Sequence, residues 1–225
     1  MNRKIIKKCF ILVLNLIVIL FLVPFLVYVI NKSDLESKNI YSTAVYVEAG
    51  GYHGNGSIIK KGKDDIVIVT TKHLLDKGNH VDVTFWGAET KEGNIVYVSE
   101  NHDIGFIKVP TDSLSDKTYQ NISSIKYRKS VYKILKQDNI MQYIWLNMEG
   151  SCDIKKGRIG NPSWYVEEFH DDMLYNYCSA NAGMSGCGAF TVNNYYIGML
   201  IGGYDNESAC LPLPTILKIY KDEVS

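Results

Sequence analysis

Residues 65–75, DIVIVTTKHLL, decide how the rest of the chain is read. Ile66 to Thr71 are all β-branched, and such side chains favour an extended backbone over a helix. The run is short, Asp64 and Asp65 precede it, and it ends at His73 before the apolar pair Leu74–Leu75. A buried strand that delivers a histidine at its exit is the simplest reading. That side chain would be held rigidly and still be reachable from solvent.

Working outward, the neighbouring stretches have the same character. STAVYVEAG (42–50) and GNGSIIKKG (54–62) come before, and HVDVTFWG (80–87), GNIVYVSEN (93–101) and DIGFIKVP (103–110) come after. Gly, Asn and Asp clusters separate them. Short β-rich runs punctuated by turn residues predict an all-β sandwich or barrel. Residues 111–130 are polar and without periodicity, and read as a connection. Strand signals resume with SVYKILK (130–136), MQYIWLNMEG (141–150), DMLYNYCSA (172–180), GAFTVNN (188–194) and YYIGMLIGG (195–203). LPTILKIYKDEV (213–224) has helical spacing behind Pro212 and Pro214. No internal repeat at a fixed period is visible.

The N-terminal stretch differs. CFILVLNLIVILFLVPFLVYVI (9–30) is apolar except for Asn15, long enough to cross a bilayer as a helix. Arg3, Lys4, Lys7 and Lys8 precede it and NKSDLESK follows, so the positive-inside bias predicts a cytoplasmic N-terminus and an external body. The run is too long for a signal-peptide core and lacks a small-x-small cleavage site. The expectation is a single-pass cell-membrane protein: a tail over 1–8, an anchor over 9–30, a linker over 31–40, an N-terminal barrel over 41–112, a connection over 113–130, and a C-terminal barrel with its helix over 131–225. Cys152, Cys178, Cys187 and Cys210 would then face a compartment that permits disulfides, with three pairings open. The 24 basic and 24 acidic residues balance, which gives no electrostatic case for nucleic acid. Abundant Ile, Lys, Asn and Tyr suggest a bacterial source.

Three residues could carry chemistry. Ser185 lies in AGMSGCGAF (182–190), where Gly183, Gly186 and Gly188 allow unusual dihedrals and a close approach to main-chain N–H groups. A serine hydroxyl needs a base, an orienting acid and donors for an oxyanion. His73 could be the base. Asp103, directly before the strand DIGFIKVP, could accept its imidazole N–H. Each has a plain alternative: a turn, a histidine satisfied at a core edge, a strand-start aspartate. His53, His80, His102 and His170 lie in polar stretches and read as surface residues. No cysteine or histidine pair has zinc-ligand spacing, and no metal or organic cofactor is expected.

Together GNGSIIKK, IVTTKHLL, HDIGFIKV, GMSGCGAF and YIGMLIGG, in that order, resemble the trypsin/chymotrypsin-like serine proteases, closest to the Deg (HtrA) type without a PDZ module. The resemblance runs over roughly residues 41–220 as a pattern of segments. It implies two six-stranded antiparallel barrels, with His73 as general base, Asp103 as its partner and Ser185 as nucleophile. The N–H groups of Gly183 and Ser185 would form the oxyanion hole. Tyr177, Ser179, Ile201 and Gly203 would line the substrate pocket, with Ser179 at its base. An acid there would select Lys or Arg, so small or apolar side chains are expected instead. Met184 replaces the acid that digestive members use to hold an activated N-terminus. Cys187 and Gly188 replace the usual Gly-Pro, and Cys187 is expected to pack behind the nucleophile.

The reading that follows is a membrane-anchored serine endopeptidase acting on a protein or peptide substrate. One helix and no capture module follows the last strand, so a membrane partner is expected to present the substrate. The alternative is a catalytically silent binding or regulatory module on the same fold, tethered to the membrane.

Overall fold

The computed structural model describes residues 20–22, 24, 40–78 and 80–225. The chain divides into two units, residues 1–38 and 39–225. In the first, only residues 20–22 and 24 are described, as exposed helix, and the expected anchor over 9–30 otherwise lies outside the described residues. Among the described residues, no helix is long and apolar enough to cross a membrane.

The second unit contains twelve strands in two closed antiparallel barrels. The first barrel is built from β1 (Ala44–Ala49), β2 (Tyr52–Lys61), β3 (Asp65–Thr70), β4 (Val81–Phe85), β5 (Thr90–Val98) and β6 (Gly105–Pro110). The second is built from β7 (Ile140–Leu146), β8 (Cys152–Val166), β9 (Asp171–Tyr177), β10 (Gly188–Thr191), β11 (Tyr196–Tyr204) and β12 (Glu207–Pro212). Their strand orders are β1-β2-β3-β6-β5-β4 and β7-β8-β9-β12-β11-β10. The two orders are the same, and each barrel closes by pairing its first strand with its fourth. The structural repeat leaves no periodic trace in the sequence, because different side chains fill each interior. Closure removes the exposed strand edges that would otherwise pair with other chains.

The apolar run of β3 has a direct explanation. Ile66 and Ile68 point into the first barrel, with Val45, Val83, Phe85 and Val109. Val67 and Val69 point the other way, into a second core shared with Phe106, Ile144, Leu146, Phe190, Tyr196, Met199 and Ile201. A strand buried on both faces reads as continuous apolar sequence rather than alternation. The inter-barrel core also takes Leu213, Ile216, Leu217 and Ile219 of the C-terminal helix, α4 (Leu213–Glu223). Pro212 caps that helix and Pro214 sits in its first turn, where the missing N–H costs nothing.

Between the barrels the sequence expectation needs correction. Residues 130–136 are not a strand: α3 (Lys129–Lys133) occupies their start. Tyr132 and Leu135 both pack on the interior of the second barrel, a spacing of three that puts them on one face of a helical turn and would put them on opposite faces of a strand. The polar stretch before it is also structured. Ser115 caps α2 (Asp116–Asn121), its Oγ accepting the Thr118 N–H at 3.2 Å. Ile122 and Ile125 are buried, and the N–H groups of Ser123 and Ile125 bond to the carbonyls of Ser42 and Ile58.

Candidate active site

β3 ends at Thr70, and a single helical turn, α1 (Lys72–Leu75), follows. Leu74 and Leu75 are buried beneath it, which fixes the turn and leaves His73 at the surface with its side chain 47% exposed. The His73 main-chain N–H donates to Asp103 Oδ1 at 2.8 Å. The His73 ring donates from Nδ1 to Asp103 Oδ2 at 2.6 Å. With Nδ1 committed to a carboxylate, the proton-accepting nitrogen is Nε2.

Asp103 is held by its own loop. Ser99 Oγ accepts the N–H groups of Asn101 and His102, and Ile104 next to Asp103 is fully buried. His102, expected at the surface, is bonded through Nδ1 to Asp171 at the start of β9. This pair joins the aspartate loop of the first barrel to the second barrel. Nothing in the sequence links two residues this far apart.

Ser185 is half-buried in the loop between β9 and β10. Gly183 and Gly186 both have φ of +87°, in the left-handed region that glycine tolerates. A Cβ at Gly186 would lie 1.9 Å from the Asn55 carbonyl oxygen, so the position also excludes side chains on size. The Ser185 hydroxyl donates to the Ile201 carbonyl at 3.3 Å. The Ser185 carbonyl accepts the Asn55 N–H at 2.7 Å. Gly54 is wedged between the two halves of the site: a Cβ there would be 2.9 Å from both Leu74, beside His73, and the Ser185 carbonyl oxygen. Among the described residues, no protein acceptor takes the N–H of Gly183 or Ser185. A pair of unclaimed N–H groups on a sharp turn is what an oxyanion requires.

The substitutions in this loop have structural counterparts. Met184 is buried, its sulfur accepting the Asn181 N–H at 3.3 Å, so apolar packing holds the loop where an ion pair would in digestive members. Cys187 is fully buried beneath it. Cys152, Cys178, Cys187 and Cys210 are all free thiols. Burial pushes the Cys187 thiol well up from its ordinary value and Cys210 up to about 12. Neither forms a useful thiolate at neutral pH.

Of the residues expected to line a pocket, Ile201 is buried and receives the Ser185 hydroxyl. Ser179 is half-buried, and its neighbour Ala180 closes on Gly203, where an added Cβ would meet the Ala180 Cβ at 2.8 Å. Tyr177 packs edge-on against Tyr175 with ring centroids 5.6 Å apart. His53, also read as a surface residue, stacks on Tyr46 with ring centroids 5.8 Å apart and lies against Gly183. These two line a cavity of about 390 Å³ with Trp145, Leu146, Met148 and Ala182.

Twin six-stranded barrels, with a His–Asp pair in one and a glycine-flanked serine in the other, define the chymotrypsin-like class of fold. Residues 54–199 match the family model of the trypsin-like peptidase domain, and the chain belongs to that family. No curated protein matches its sequence.

Proposed function

We propose that the protein is a serine endopeptidase in which His73, Asp103 and Ser185 act as a triad. The observation that carries this reading is the pair of hydrogen bonds that His73 donates to Asp103, from its main-chain N–H and ring Nδ1, on a turn that Gly54 alone separates from the Ser185 carbonyl. His73 Nε2 removes the Ser185 proton as Oγ attacks the scissile carbonyl. The Gly183 and Ser185 N–H groups receive the oxyanion. His73 then gives the proton to the leaving amine, and water releases the acyl group by the same steps. In the resting state the Ser185 hydroxyl donates to Ile201 O rather than to His73, and in this reading it turns to His73 when substrate arrives.

The substrate is a protein or peptide. Ser179, Ile201 and Gly203, with Tyr177 at the rim, form the pocket for the residue before the cut, which lacks an acid and suits small or apolar side chains. In the same reading the apolar run 9–30 anchors the protein in the cell membrane with the barrels outside, the likeness is to Deg-type proteases without a PDZ module, and a membrane partner presents the substrate to this protein. The test is labelling of the full chain with a peptidyl phosphonate. The expected result is a covalent adduct that disappears in Ser185→Ala and in His73→Ala. A folded wild-type chain that takes no label leaves the silent binding module as the reading.

A further inference from the structure

We propose that the Asn55 side chain is the positioning residue for the oxyanion turn, a role that rests on the Ser185 reading above. Asn55 belongs to β2 of the first barrel and is 1% exposed, yet nearly all its polar groups reach outside that strand. Its side-chain Oδ1 accepts the Leu146 N–H at 2.7 Å. Its Nδ2 donates to the carbonyls of Leu146 at 3.2 Å and Gly183 at 2.9 Å. Its main-chain N–H donates to Ser185 O at 2.7 Å. Its carbonyl accepts from Thr70 Oγ1 at 2.6 Å, at the end of the strand that leads to His73. One residue therefore ties the base-bearing strand, the end of β7 and the serine turn together.

The consequence lies in which peptide planes are held. Gly183 O belongs to the 183–184 peptide and Ser185 O to the 185–186 peptide, and Asn55 grips both. The plane between them, 184–185, carries the Ser185 N–H, and its carbonyl accepts from the Cys187 N–H at 2.9 Å. With three successive planes fixed, the Ser185 N–H has one direction left. The Gly183 N–H is set through the same glycine, whose φ of +87° would otherwise be free to relax. Preorganised donors cost no reorganisation as charge develops, and that advantage is lost when the turn can rotate. The contact to Ser185 O is made by backbone and any residue could supply it. The contact to Gly183 O needs a side-chain donor of this length, and among the described residues Asn55 supplies it.

The test uses the full chain and Asn55→Asp, which keeps the shape and the acceptor for Leu146 N–H but puts a carboxylate oxygen against Gly183 O and Leu146 O. Phosphonate labelling, kcat, KM and the thermal melt are measured together. The expected result is a folded protein whose labelling rate and kcat fall by about 10²-fold, the scale of one lost oxyanion donor, with KM unmoved. A merely structural role would not spare KM while lowering kcat. Labelling of Asn55→Asp at the wild-type rate overturns the proposal and leaves the triad standing. A wild-type chain that takes no label overturns both. If Asn55→Asp does not fold, Asn55→Ser, smaller and uncharged, is read in the same way. If neither folds, the wild-type Asn55 amide protons decide by NMR: slow solvent exchange, with a shift when a peptide boronate binds Ser185, supports the role. Fast exchange with no shift overturns it.

Discussion

Both oxygens of the Asp103 carboxylate are taken by one residue, His73: Oδ1 by its main-chain N–H at 2.8 Å and Oδ2 by its ring Nδ1 at 2.6 Å. The imidazole therefore has its tautomer and its direction set from the same anchor. Asp103→Asn keeps the size but offers an N–H₂ where the ring also wants to donate. The ring then favours the tautomer with its proton on Nε2, which cannot accept from Ser185. The expected outcome is a folded protein with kcat lower by about 10⁴, measured on a peptide substrate beside a thermal melt.

Cys187 lies two residues after the serine, which makes a thiol nucleophile the natural rival to Ser185. Its burial and raised pKa decide against it. Native protein treated with iodoacetamide is expected to keep its phosphonate labelling at Ser185. Cys178, Cys187 and Cys210 are expected to react with Ellman's reagent only after denaturation. Loss of labelling on alkylation of native Cys187 would reverse the assignment.

Much of this architecture was legible in the sequence because strands buried on both faces leave continuous apolar runs. β3 and β11 are cases of this, and the glycines around Ser185 mark a turn that tolerates nothing larger. What stayed hidden depends on contacts between distant residues. Asn55 sits in GNGS, where an asparagine reads as a turn residue, and its reach to Leu146 and Gly183 exists only once two barrels meet. His102 and Asp171 are unremarkable polar residues until the same docking joins them. Residues 130–136 read as a strand because the single helical turn at Lys129–Lys133 is too short to show a period.

Glu89 gives a pH dependence that has nothing to do with catalysis. Burial alone would raise its carboxyl, but hydrogen bonds from Ser115 Oγ, Thr118, the Ser115 N–H and Lys91 outweigh this and hold it at about 2. The folded value is below the unfolded one, so the contribution is present above the ordinary carboxylate pKa and is lost as pH falls towards 2. Urea melts of wild type are expected to lose stability over this range. Glu89→Gln is expected to be less stable at neutral pH and flatter between pH 5 and about 2, the window set by the two pKa values. Parallel pH profiles for the two proteins would refute the assignment.

Ser179 tests the pocket directly. It lies half-buried in the loop that follows β9, next to the Ala180–Gly203 contact. If its side chain sits at the base of the pocket, as the family pattern implies, a carboxylate there would meet the end of a Lys or Arg side chain. The uncharged serine offers no such partner and leaves that charge desolvated. Hydrogen bonds to charged groups contribute about 1.5–3 kcal/mol, which corresponds to roughly 10- to 100-fold in selectivity. Ser179→Asp is therefore expected to raise kcat/KM for Arg over Ala before the cut by that factor, scored on a peptide library against wild type. An unchanged cleavage profile in an active, folded variant would place the base of the pocket elsewhere.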